Sequence, residues 1–249
     1  MKNTPPTPNL KAKALTAKVI LLSLLTIAVS QAFLGGLLRG KKAAQQTQAI
    51  NNLKQTGTFL FLFNNDYGTF PSDETAAILI EEGIATKQGN NANAYFSQLL
   101  SADYTDSEQI FWAPGASVCL KKEPDNETKP LAKLLAPGEV GFAYITFEKN
   151  VPLSTTDIGG TPAAIDAYKR DTEKFDPEFR DGKVIYLRLD QSVQSRPLDE
   201  EGRILISNPG EPAQFLFDKK SPLWAETPPL LHQPLPAKLE DSFAAPPAK

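Results

Sequence analysis

The run "VILLSLLTIAVSQAFLGGLL", Val19 to Leu38, constrains this chain more than any other stretch, because water is a poor solvent for it. Ser23, Thr26, Ser30 and Gln31 are its only polar side chains. As a helix rising about 1.5 Å per residue it spans roughly 30 Å, the thickness of a hydrocarbon core. The hydroxyls can bond back to the preceding turn, which leaves Gln31 as the costly group. A transmembrane helix over 19–38 is expected, with 1–18 a short basic cytoplasmic tail. A cleaved signal peptide is the rival, since "SQA" before Phe33 has the form of a cleavage site. Against it, the apolar run continues past that point to Leu38. A single pass in the inner membrane then leaves the larger C-terminal part exported, in the periplasm or outside the cell.

Charge supports the division. Residues 1–42 contain seven of the 26 basic residues and no acid, leaving 19 basic against 29 acidic residues, a net of about −10 for the remainder. Such a body repels phosphate backbones, so nucleic acid is not an expected partner. Cys119 and His232 are the single cysteine and histidine of the 249 residues. No intrachain disulfide can form, and Cys119 is either a small buried hydrophobe or a reactive or intermolecular thiol. A His triad or a Cys/His metal site has almost nothing to work with.

Beyond the apolar run, Ala43, Thr47, Ile50, Leu53, Gly57, Leu60 and Phe61 or Asn64 recur at spacings of three and four. They mark a stalk helix over 39–66, continuing the membrane helix, with Phe59, Leu62 and Phe63 widening the apolar face near its end. Gly68 permits a turn and Pro71 forbids continuation. "SDETAAILIEEG" predicts a second helix, capped by Ser72, with Asp73 and Glu74 at the positive end of its dipole and a stop at Gly83. "NAYFSQLLSADY" predicts a third, with Tyr95, Phe96, Leu99 and Leu100 turned inward. Strands are predicted at about 109–113, 117–121, 140–147, 183–189, 203–207 and 213–218. Asn150 to Glu178 looks like a long excursion between strands. Helices first and strands afterwards argue for an α+β domain over 67–220 with an antiparallel sheet. From Ser221 onward there are seven prolines in 29 residues, too many for regular structure. This 221–249 tail lies over the domain, docks to a partner or stays disordered, with Trp224, Leu230 and Leu231 as its anchors.

Three stretches then carry a resemblance. "NNLKQTGTFLFLFNNDYGTFP" (51–71), "YFSQLLSADYTDSEQIFWAPGAS" (95–117) and "DGKVIYLRLDQSVQSR" (181–196) resemble, in that order, landmarks of the type IV pilin and type II secretion pseudopilin family. The resemblance covers roughly residues 18 to 196. It implies a long N-terminal helix, transmembrane and then stalk, packed on an antiparallel sheet, and a structural, non-enzymatic protein that assembles with other pilin-like subunits. The chain departs from the family's motifs at definite places. "KAKALTAKVI" replaces the peptidase signal, and Lys18 stands about where the family has a Glu that pairs with a neighbour's amino group. Ala113 replaces the Cys of "CP", and Asp190-Gln191 replaces an Asp-Gly turn. The expected assembly surface comprises Lys18, Gly35, Gly36, Ala43, Thr47 and Ile50, with a heterotypic partner favoured because Lys18 repels its own copies.

No glycine-rich phosphate loop or Gly-x-Ser-x-Gly elbow is present, and no cofactor is expected. Asp103, Asp106 and Glu108 offer oxygens of the kind calcium takes, without a rigid-loop signature, so a metal-independent domain is expected. Asn126-Glu127-Thr128 fits the glycosylation acceptor pattern. The alternative reading is a membrane-anchored periplasmic binding module on a pilin-like stem, holding a ligand in the 150–178 excursion or the Pro-rich tail. A hydrolase built on an acidic pair is a distant third.

Overall fold

The computed structural model describes residues 10–120, 123–206, 214–218, 221–224 and 227–238; the side chains of 10–38, 206, 214 and 222 lie outside that description. The chain divides into two compact units, Met1–Ala44 and Gln45–Lys249. Helix α1, Leu10–Tyr67, contributes to both. The expected membrane span over 19–38 falls on α1, where the side chains lie outside the description. Among the described residues, no helix is long and apolar enough to cross a membrane.

Within the second unit, α1 buries Ala49, Asn52, Leu53, Thr56, Gly57, Leu60, Phe63 and Asn64. This differs from the apolar stripe at its start: Ala43 and Thr47 are exposed and Ile50 is half-buried. Polar chemistry is the reason. Asn52 Nδ2 donates to the carbonyls of Gln109 and Trp112, both at 2.8 Å, and Thr56 Oγ1 donates to that of Ile110 at 3.0 Å. The buried face is therefore phased on two side chains that a hydropathy pattern passes over. Gly57 lets the helix approach the sheet, since a Cβ there would stand 2.8 Å from Leu187 Cδ1.

Helix α2, Asp73–Glu81, begins at Ser72 with a reciprocal capping box to Thr75, and Gly83 takes the left-handed φ of +83° that ends it. Helix α3, Ala92–Ser101, is capped by Asn91 and buries Tyr95, Phe96, Leu99 and Leu100. Helices α2 and α3 lie where the sequence places them, whereas α1 begins at Leu10, within the expected 1–18 tail. Gln98 Nε2 ties α3 to α2 through the Ser72 carbonyl at 2.8 Å.

The unit is α+β. Its main sheet runs β4-β3-β2-β1-β7, antiparallel throughout, with β1 Phe142–Phe147, β2 Pro162–Asp166, β3 Lys183–Arg188, β4 Val193–Pro197 and β7 Pro229–His232. A separate pair joins β5, Leu205–Ile206, to β6, Gln214–Phe215. The strands expected at 140–147 and 183–189 are present as β1 and β3, and those at 203–207 and 213–218 shrink to β5 and β6.

Two expected strands are not strands. Residues 108–111 form a 3-10 turn, and the carbonyls of 109, 110 and 112 go to α1 side chains, so no ladder is needed. Residues 117–120 are turns, with Cys119 N–H donating to the Ala116 carbonyl and Leu120 at a φ of +52°.

Two segments read as irregular contain strands. The 150–178 excursion holds β2, whose five residues are all buried. The Pro-rich tail holds β7, which pairs with the outer edge of β1. Prolines are tolerated there because an edge strand sends alternate N–H groups away from the ladder. The tail is further tied by Leu235 N–H to Asn93 Oδ1 at 2.7 Å and Ala237 N–H to the Val118 carbonyl at 2.8 Å. Gly138 makes room for it: a Cβ there would lie 2.5 Å from Ala237 Cβ.

One charged pair sits in the core. Arg180 donates from Nε and Nη2 to Asp166 at 3.1–3.3 Å, and Asp166 also accepts the Ile185 N–H at 2.8 Å. Both residues are buried. Burial pushes the Asp166 carboxyl up, and Arg180 opposes that.

Candidate metal centre

The loops between α3 and β1 gather three carboxylates. Glu108 opens the 3-10 turn 108–111, Asp125 lies in the loop after it, and Glu139 follows Gly138 just before β1. One side-chain oxygen of each lies within 4.8 Å of the others. Glu108 and Glu139 are fully buried and Asp125 is exposed, so the cluster has a buried floor and one side facing water.

Backbone donors hold each carboxylate. Leu135 N–H donates to Glu108 Oε1 at 2.7 Å, Glu127 N–H to Asp125 Oδ1 at 2.8 Å and Ala136 N–H to Glu139 Oε2 at 2.6 Å. Asn126, at a φ of +58°, accepts the Glu108 N–H on Oδ1 at 2.9 Å and so fixes the turn that carries Asp125. Among the described residues, Glu108 Oε2 is buried with no hydrogen-bond partner. Burial is the main cause that raises the Glu108 pKa; the Leu135 and Asn126 hydrogen bonds oppose it, the Asp125 charge adds to it, and the Lys87 ammonium lowers it. Lys87 Nζ also donates to the carbonyls of Leu135 and Ala132 at 3.3 and 3.4 Å. Like charges this close in a dry site need a proton, an ammonium or a metal ion to coexist.

Of the three acids considered from the sequence, this cluster includes Glu108 alone. Asp103 and Asp106 are exposed and stand outside it. Asp125 and Glu139 are absent from the sequence reading because their partners are 14 to 31 residues away along the chain. The available signal was Glu139 itself, an acid directly ahead of the apolar run Val140–Phe147. Asn126 of the glycosylation pattern is exposed.

The other singled-out residues are placed as follows. Lys18, Gly35 and Gly36 lie outside the described side chains, while Ala43 and Thr47 are exposed and Ile50 is half-buried. Cys119 is buried, donates to the Val140 carbonyl at 3.4 Å, and has its thiol pushed up to about 12 mainly by burial, so it is an inert core group. His232 lies on β7, buried, with Nε2 2.8 Å from Thr146 Oγ1 and its ring edge-on to Tyr95 at 4.8 Å. Burial lowers its pKa to about 4. Trp224 is fully buried against Phe217 and Phe147, and its Nε1 donates to the Leu216 carbonyl at 2.5 Å. Leu231 is half-buried on β7 beside the exposed Leu230.

A cleft of about 460 Å³ lies elsewhere, lined by Tyr168, Phe175, Arg203, Phe215 and Phe217 among others. Arg203 stacks over Phe215 at 3.7 Å and is paired with Asp199 and Glu201.

Comparison of the chain with known protein families, with characterised proteins and with solved structures finds no match.

Proposed function

We propose that this chain is a membrane-anchored, pilin-like structural protein whose work is assembly with other pilin-like subunits, as in a pilus or a type II secretion-like system. The observation that carries the reading is the double use of α1. The helix that contains the 20-residue apolar run also lends Ala49, Leu53, Leu60 and Phe63 to the core of an α+β domain. One continuous helix thus links the apolar run to the domain's core, which suits a subunit held at a membrane. On this reading the protein catalyses no reaction, sits in the inner membrane with its N-terminus cytoplasmic, and presents the acidic domain on the far side.

The test is membrane retention with intact-mass measurement. The region before Val19 lacks the Gly and Glu that a prepilin peptidase reads, so the full-length mass is expected in the membrane fraction. A mature species beginning near Leu15 or at Phe33 overturns the uncleaved anchor.

One observation favours the second reading, an anchored binding module. The aromatic cleft takes Tyr168 and Phe175 from the 150–178 excursion, the segment on which that reading relied.

A further inference from the structure

We propose that residues 239–249 of this chain close over its own aromatic cleft, with Glu240 or Asp241 meeting Arg170 and with Phe243, Pro246 and Pro247 lying against Tyr168, Phe175 and Phe217. The proposal is independent of the assembly reading, and it gives the cleft an occupant from the chain itself in place of a separate ligand. The segment reads "LEDSFAAPPAK" and lies outside the described residues. The position of Ala237, next to the last described residue, points to the cleft. Its N–H donates to the Val118 carbonyl at 2.8 Å. The neighbouring Ser117 accepts the Arg170 N–H on Oγ at 2.8 Å. Tyr168, two residues before Arg170, stands on the cleft wall, and its own N–H donates to Gln233 Oε1 of the tail at 3.0 Å. Lys169 N–H donates to the Lys174 carbonyl at 2.7 Å and closes the turn that leads to Phe175. Ala237 and Tyr168 are thus separated by two hydrogen bonds and a few adjacent residues. An extended chain advances about 3.1 Å per residue, so the path from Lys238 to Pro246 covers roughly 25 Å, ample to pass Arg170 and reach the cleft.

Arg170 supplies the second observation. Its side chain is 18% exposed, and its Nη1 is buried with no hydrogen-bond partner among the described residues. Asp171 Oδ2 stands 3.6 Å from its Nε and is itself 85% exposed, a weak counter-charge. A guanidinium so far out of water costs free energy until an acceptor meets it. Glu240 and Asp241 follow Lys238 closely enough to bring a carboxylate there. The cleft selects the rest of the segment. Tyr168 stands edge-on to Phe175 at 4.8 Å, and Phe175 stacks with Phe217 at 6.4 Å. Tyr168 and Phe217 are half-buried, so their rings stay partly open to the cleft of about 460 Å³. Grooves lined with aromatic rings take extended proline segments, whose ring carbons pack on the aromatic faces and whose stiff backbone has little freedom left to lose. Pro246-Pro247 has that chemistry, and Phe243 adds a further ring.

The experiment is disulfide trapping in the full-length chain in detergent, read by intact mass and by mobility on non-reducing gels. Lys174→Cys, at the exposed rim of the cleft, is combined with Ala245→Cys; Cys119 is buried and stays out of the reaction. The control combines Ala245→Cys with Ile78→Cys, a position exposed on α2 and outside the cleft lining. Docking raises the effective concentration of one thiol at the other, so an intramolecular disulfide is expected to form about tenfold faster in the first pair than in the control. Adding Glu240→Gln with Asp241→Asn, or separately Pro246→Ala with Pro247→Ala, is expected to slow the first pair roughly threefold or more. These changes touch only the segment and exposed side chains, so the fold is not at stake. The proposal is overturned by equal rates in the two pairs, by a rate that either set of segment substitutions leaves unchanged, or by a disulfide that joins two chains, which would make the occupant a second copy.

Discussion

At the scale of single residues, the Arg180–Asp166 pair shows how a charge becomes structural. Arg180 reaches the core from a left-handed backbone position, φ +52°, stacks on Phe179 at 4.2 Å and spends three contacts on Asp166 and a fourth on the Gln45 carbonyl. It therefore connects β2, where Asp166 lies, to α1. Removing one partner of such a pair strands the other charge in the interior, at a cost of about 3–5 kcal/mol. Arg180→Ala is expected to destabilise by that amount in urea unfolding; a loss under about 1 kcal/mol would mean that Asp166 is satisfied without it. None of this was legible in the sequence, where Asp166 sits in a segment read as irregular and Arg180 resembles any solvated arginine. The turn at Asp190-Gln191 was legible, because an Asp-Gly position filled by Gln191 still adopts the left-handed φ of +64° that glycine takes easily.

Among the elements, helices were easier to read than strands, for a physical reason. Ser72, Gly83 and the 3.6-residue pattern are local signals, and α2 and α3 obey them. Strand β2, Pro-Ala-Ala-Ile-Asp, has small residues with weak strand preference and is made a strand by its neighbours on both sides. Strand β7 is a still clearer case of tertiary override, since Pro229 and the prolines flanking the strand argue against it and the free edge of β1 supplies a partner. That placement buries His232. Its pKa of about 4 in the fold lies below the ordinary value near 6.5, because burial favours the neutral ring while Asp73 and the Asn90 backbone oppose the shift only partly. The sign follows: the unfolded chain takes up the proton first, so stability is full above about pH 6.5, falls as pH drops toward 4 and levels off below. A loss of about 3 kcal/mol across that window is expected from this group. His232→Gln should flatten this part of the stability profile, and an unchanged profile would show that β7 does not hold the ring buried in solution.

For the whole molecule, on the proposed membrane-anchored reading, the question is what the stem meets when several copies share a membrane. Close approach of helices in lipid favours small residues, and Gly35, Gly36 and Ala43 are the small positions of the proposed stripe. Ala43 and Thr47 are exposed, so these two positions need no rearrangement of the domain to meet a neighbour. Lys18 opposes a bundle of identical chains, because like ammonium groups at one depth repel unless each reaches back to the headgroups. A pilin-like partner with an acid at that depth removes the conflict, which is the basis for expecting a heterotypic assembly. Single cysteines at Ala43 and Thr47 provide the test in native membranes. Cys119 need not be removed, since it is buried and its thiol is pushed up to about 12. One heterotypic crosslinked product, lost when Lys18→Glu is added, is expected. Homotypic ladders longer than a dimer would show that the chain polymerises with itself and that Lys18 is no obstacle.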